Sequence, residues 1–68
     1  MNANGVSPAP RRVLIVDDHP VVRQGIKLMI EAEPDLTICG EAQTEQQARK
    51  MVRELKPDAL LVDLKGAA

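Results

Sequence analysis

Val13-Leu14-Ile15-Val16 is a continuous apolar run that stops at two adjacent carboxylates, Asp17 and Asp18. An unbroken run this short predicts a strand covered on both faces, over about residues 12–16. A helical period follows. Val22, Ile26, Met29 and Ile30 share one face, Val21 and Leu28 widen it, and Arg23, Gln24, Lys27 and Glu31 lie opposite. This predicts an amphipathic helix over about residues 20–32, with Pro20 suited to its first turn. Gly25 is costly inside a helix by about 1 kcal/mol, and a close helix–strand approach would explain it. Residues 36–42 alternate weakly, with Leu36, Ile38, Gly40 and Ala42 on one side and Thr37, Cys39 and Glu41 on the other. A half-covered edge strand is expected there. Thr44 and Gln47 then form a capping-box pair, and Ala48, Met51, Val52 and Leu55 mark a second helix over about residues 45–55. Ala59-Leu60-Leu61-Val62 runs into Asp63 and repeats the opening pattern, which places a third strand at about residues 59–63.

The order strand, helix, strand, helix, strand, with helical crossovers, predicts an α/β unit with a parallel sheet. Unpaired carboxylates are too costly to bury within such a sheet. Asp17, Asp18 and Asp63 therefore belong at the carboxyl ends of their strands, where open parallel sheets bind ligands. Neighbouring strands lie about 4.8 Å apart, so the three acids would crowd and repel unless protons or a metal neutralised them. A hard divalent cation with oxygen ligands, Mg²⁺ first, answers that need.

Composition narrows the classes. The chain has 68 residues and no Phe, Tyr or Trp, so it holds one domain at most, with a core of aliphatic side chains and marginal stability. Nine basic and ten acidic residues give a net charge of −1 and no basic footprint for nucleic acid. No apolar run is long enough to span a membrane, and no signal-peptide pattern stands at the N-terminus. A cytoplasmic protein is expected. Cys39 is the single cysteine and reads as a packing residue. Residues 1–10 are rich in Asn, Ala, Gly, Ser and Pro and read as a disordered tail before a domain over residues 11–68. Arg11 and Arg12 read as a solvated approach to the first strand rather than an anion contact. Arg49, Lys50, Arg53 and Lys56 read as a solvated helix face near the helix C-terminus. Asp35 and Asp58 read as turn residues with local Asx bonding.

Val-Leu-Ile-Val-Asp17-Asp18-His19-Pro20, Val-Val-Arg23-Gln-Gly25 and Leu-Leu-Val-Asp63-Leu together resemble the receiver domain of two-component response regulators. The stretch from Asp17 to Gly25, with Pro34-Asp-Leu and Cys39-Gly-Glu-Ala42, is similar to the NarL/FixJ-type branch. The likeness covers about residues 11–64. It implies a flavodoxin-like, three-layer fold of sheet order 2-1-3-4-5, here β1-α1-β2-α2-β3. It also implies that Asp63 accepts a phosphoryl group from a histidine kinase. In that scheme Asp17, Asp18 and Asp63 hold Mg²⁺, and Lys65 adds its backbone carbonyl. His19 is commonly histidine in this branch and reads as a helix-start residue rather than a catalytic one.

The given sequence ends five residues after Asp63. The family's fourth-strand Ser/Thr switch, its fifth-strand lysine, its output face and the helix-turn-helix domain of this branch are not in the sequence, so phosphorylation is expected to be impaired for want of the second half of the domain. No DNA binding by this chain is expected. The third strand would then be an open edge, inviting a second copy or a complementing fragment. The alternative function is an interaction fragment that cannot be phosphorylated and dimerises through that edge. An aspartyl phosphotransferase is disfavoured because the usual Asp-x-Asp spacing is missing. A dinucleotide site is excluded because no Gly-x-Gly-x-x-Gly follows the first strand.

Overall fold

The computed structural model describes residues 9–65. Among them the order is β1 (Arg11–Asp17), α1 (Pro20–Glu31), β2 (Leu36–Ala42), α2 (Glu45–Leu55) and β3 (Ala59–Asp63). The strands form one parallel sheet in the order β2-β1-β3. This is the first part of the flavodoxin-like order, so the expected fold class holds. The element bounds agree with the sequence pattern to within a residue or two. β1 is longer at both ends than expected, and Asp17 belongs to the strand rather than to the turn. The expected N-terminal tail lies outside the described residues, apart from Ala9 and Pro10, which are exposed and irregular.

β1 is central, and this explains its unbroken apolar run. Val13 and Ile15 pack beneath α1 with Ile30, joined by Ile26, Leu36 and Ile38. Leu14 and Val16 pack beneath α2 with Ala42 and Ala48, joined by Cys39, Met51, Val52 and Leu64. The two helices cover opposite faces of β1 and β2, and neither packs over β3. Leu60, Leu61 and Val62 are accordingly exposed. Cys39 has the packing role expected of it, half-buried against the α2 side.

The alternation expected of β2 is interrupted. Val13 pairs with Ile38, but Leu14 pairs with Gly40, so Cys39 is an extra residue in the ladder. Such a bulge shifts every later side chain to the other face. Leu36 and Ile38 lie under α1, whereas Gly40 and Ala42 lie under α2 and Glu41 turns toward α1. A Cβ at Gly40 would meet Met51 Cε at 2.6 Å, Leu55 Cδ1 at 2.9 Å and Leu14 Cδ1 at 3.2 Å. Glycine here permits close approach of α2 to the sheet.

The face of α1 is also corrected. Arg23, Ile26, Lys27 and Ile30 are the sheet-facing positions, and Val21, Val22, Leu28 and Met29 are exposed, Met29 to 73 %. The physical reason is Glu41, which the bulge presents to α1 and which pairs with Arg23 and Lys27. A Cβ added to Gly25 would meet nothing within 4 Å, so the close approach expected there is not its explanation.

At the amino end of the sheet, Arg12 is more than a solvated approach. Its Nη1 donates to the carbonyls of Leu55 at 2.6 Å and Lys56 at 3.1 Å, capping the end of α2. Lys56 holds a left-handed backbone, φ 49°, which ends the helix at a position that favours glycine. Asp58 does not bond within its own turn. Its carboxylate accepts the Arg12 N–H at 2.8 Å, while its own N–H donates to the Arg12 carbonyl at 2.8 Å. At this same end of β1, Asp35 contributes its backbone carbonyl to the Arg11 N–H.

α2 begins with the expected Thr44 cap, but Gln47 reaches back one residue further than a capping box, to Gln43 rather than Thr44. Thr44 Oγ1 accepts the Gln47 N–H and Gln47 Oε1 accepts the Gln43 N–H. Glu45 and Arg49 pair four residues apart at 2.7 Å, and both are exposed.

Candidate acidic site at the carboxyl end of the sheet

The parallel ladder carries the site. β1 and β3 pair from Val13 with Ala59 through to Asp17 with Asp63, so the two aspartates end neighbouring strands side by side. Asp18 follows in the turn, His19 is the N-cap residue of α1, and Pro20 opens the helix. The His19 side chain makes no cap hydrogen bond.

Asp17 differs from expectation in its burial. It is 0 % exposed, while Asp18 and Asp63 are exposed. Asp17 Oδ1 accepts the His19 N–H at 2.6 Å. Its other oxygen, Oδ2, is buried with no hydrogen-bond partner among the described residues. A buried carboxylate oxygen without a partner is energetically expensive. It marks the place where a cation or a proton donor would relieve the cost.

Asp17, Asp18 and His19 each offer a ligand atom within 4.8 Å of one another. His19 Nδ1 lies 2.8 Å from Asp18 Oδ1 and 4.0 Å from Asp17 Oδ1. The tight group therefore comprises the acidic pair and the histidine. Asp63 is brought alongside through the backbone register but is not one of its three members. Lys65 is set beside the acidic pair by its backbone N–H, which points at Asp18 Oδ2 at 3.3 Å.

Two residues of the surrounding frame escaped the sequence reading. Arg23 Nη1 donates to the Asp17 carbonyl at 2.8 Å, and Arg23 Nε donates to Glu41 Oε1 at 3.0 Å. Glu41 Oε2 also receives Lys27 Nζ at 3.0 Å. The period of α1 fits both helical faces, since Ile26 and Ile30 belong to each. The only local signal for Arg23 and Glu41 was a basic pair on α1 opposite an acid on β2.

The oxygen donors fit a hard cation. Asp17 Oδ2 is unpartnered and Asp18 is turned to solvent beside it, the donor type that Mg²⁺ takes. The imidazole suits softer metals better, and its contact with Asp18 holds it in place as a neighbour.

The family model of the response regulator receiver domain matches residues 13–65, the span that carries this geometry. The chain belongs to the response regulator receiver family. Its relatives here are regulators of the NarL/FixJ type. It is 53 % identical over 53 residues to the transcriptional regulatory protein YdfI of Bacillus subtilis (strain 168), covering 78 % of this chain and 25 % of that protein. It is 42 % identical over 55 residues to the nitrate/nitrite response regulator protein NarL of Escherichia coli (strain K12), covering 81 % and 26 %. It is 43 % identical over 53 residues to the transcriptional regulatory protein LiaR of Bacillus subtilis (strain 168), covering 78 % and 25 %. The chain thus spans about a quarter of the length of these curated relatives. A protein-glutamate methylesterase/protein-glutamine glutaminase of Saccharophagus degradans also matches, at 40 % identity over 55 residues and 16 % of that protein. Receiver sequences of this kind therefore accompany more than one output. Among the described residues, no helix is long and apolar enough to cross a membrane.

Proposed function

We propose that this chain is the phospho-accepting part of a receiver, with Asp63 as the acceptor and a histidine kinase as the donor. In this reading residues 11–68 form the receiver portion, residues 1–10 a tail, and the protein works in the cytoplasm as a signalling module rather than an enzyme. The observation that carries it is the pairing of Asp17 with Asp63 at the ladder end, beside the unpartnered, buried Asp17 Oδ2.

An oxygen of the Asp63 carboxylate attacks the phosphorus of a phosphohistidine. The P–O bond forms as the P–N bond breaks, and the electron pair returns to the imidazole nitrogen of the donor. Asp63 is exposed, as an acceptor that must meet a partner's side chain needs to be. Asp17, Asp18 and Asp63, with the backbone carbonyl of Lys65, would hold Mg²⁺, which when bound neutralises the charge gathering on the phosphoryl oxygens. The proximity of Asp17 to Asp63 calls for such a cation, because three acids at one strand end repel an anionic donor unless it offsets them.

Incubation of the full chain with a small phosphodonor such as acetyl phosphate and Mg²⁺, followed by peptide mass spectrometry, tests the proposal. Mg²⁺-dependent modification confined to Asp63 and lost in Asp63→Asn supports it. Modification elsewhere, or none, refutes it.

A second reading is an interaction fragment that is not phosphorylated and pairs with a second copy through β3. The exposed Leu60-Leu61-Val62 edge favours it. Light scattering that gives a dimer mass, together with failure of labelling, would select it.

A further inference from the structure

We propose that Arg23 is a positioning residue for the acidic pocket, setting the Asp17–His19 turn through the carbonyl of Asp17. The inference rests on the acidic end of the sheet being the functional site.

Arg23 ties together three elements. It lies on α1, donates Nη1 to the Asp17 carbonyl at the end of β1, and donates Nε to Glu41 on β2. Its backbone N–H also bonds the His19 carbonyl at 2.9 Å, closing the first turn of α1. The side chain is only 14 % exposed, so it is a packed part of the frame and not a solvated surface cation.

Asp17 is thereby held at two points. Its side chain is fixed by the His19 N–H and its backbone by Arg23. The carboxylate pair projects from that segment, so a rotation of the Asp17 peptide would move both acids. Glu41 is bound by Arg23 at one oxygen and Lys27 at the other, which orients the guanidinium. The bulge at Cys39 is what turns Glu41 to this face. Lysine does not replace Arg23, because its ammonium is one compact donor centre, whereas the rigid guanidinium fork reaches Glu41 and the Asp17 carbonyl from two separate nitrogens.

The test uses the full chain with Arg23→Gln, Arg23→Lys, Glu41→Gln and, as a control, Asp58→Asn. The control weakens a contact to Arg12 at the opposite end of the sheet. Two quantities are read by NMR: hydrogen exchange of the His19 amide without metal, and the Kd for Mg²⁺ alone. Both Arg23 variants are expected to speed His19 exchange and to raise the Mg²⁺ Kd by about tenfold, as loss of a group that orients ligands does. Glu41→Gln gives a smaller change in the same direction, and Asp58→Asn changes neither. If Arg23→Gln does not fold, Glu41→Gln carries the test. Wild-type exchange at His19 in Arg23→Gln, or equal effects from Asp58→Asn, overturns the proposal. Should the wild-type chain show no response to Mg²⁺, the cation reading fails by itself, and His19 exchange still decides the role of Arg23.

Discussion

Asp17 and Asp63 are register partners at the end of the β1–β3 ladder, one fully buried and the other open to solvent. The asymmetry follows from their strands. β1 is covered on both faces, whereas no helix packs over β3. The buried member suits a fixed cation ligand and the exposed member suits a group that must meet a partner.

Asp63→Asn is expected to abolish labelling by a phosphodonor while leaving the thermal midpoint unchanged or slightly raised. Its side chain is exposed and makes no hydrogen bond or ion pair among the described residues. A surface change of this kind shifts stability by about 0.5 kcal/mol or less. Labelling that persists in this variant would place the acceptor elsewhere.

Arg12→Ala is expected to destabilise the fold by about 1–3 kcal/mol, because the Leu55 carbonyl loses its charged donor. Urea unfolding followed by circular dichroism measures this. A loss below a few tenths of a kcal/mol would mean that water replaces the guanidinium without cost.

Two glycines are expected to respond in opposite directions. Gly25→Ala stabilises by about 0.5–1 kcal/mol, since alanine is the better helix former and its Cβ meets nothing. Gly40→Val destabilises by about 1–3 kcal/mol, because the added atoms force Met51, Leu55 and Leu14 apart. Thermal unfolding of the pair, run side by side, checks the sign of each.

Much of the fold is legible in the sequence, and the reason is periodicity. The apolar run of Val13–Val16, the capping pair Thr44 and Gln47, and the Asp63 that ends a second apolar run each specify their element from local chemistry. The order β2-β1-β3 comes from the family resemblance, since the apolar run of β3 matches that of β1 although β3 is an exposed edge. The bulge is different. Nothing in Leu36–Ala42 marks Cys39 as the residue left out of the ladder, because Cys, Gly and Ala are all small enough for either face. Once the bulge is missed, Glu41 falls on the wrong side and the inward face of α1 is misread, with Met29 placed inside and Arg23 outside. The same limit hides Arg12 and Asp58, whose partnership joins residues 46 apart. At the site, the three acids and their shared strand ends were visible. The burial of Asp17 and the contact of His19 with Asp18 depend on how the turn is held.

The most direct measurement is a Mg²⁺ titration of the ¹⁵N-labelled chain, followed amide by amide. Saturable shifts concentrated at residues 17–19 and 63–65, and lost in Asp17→Asn, are the predicted result. A uniform response across the chain, or shifts confined to other acids such as Glu45 and Glu54, would contradict a cation pocket at the carboxyl end of the sheet.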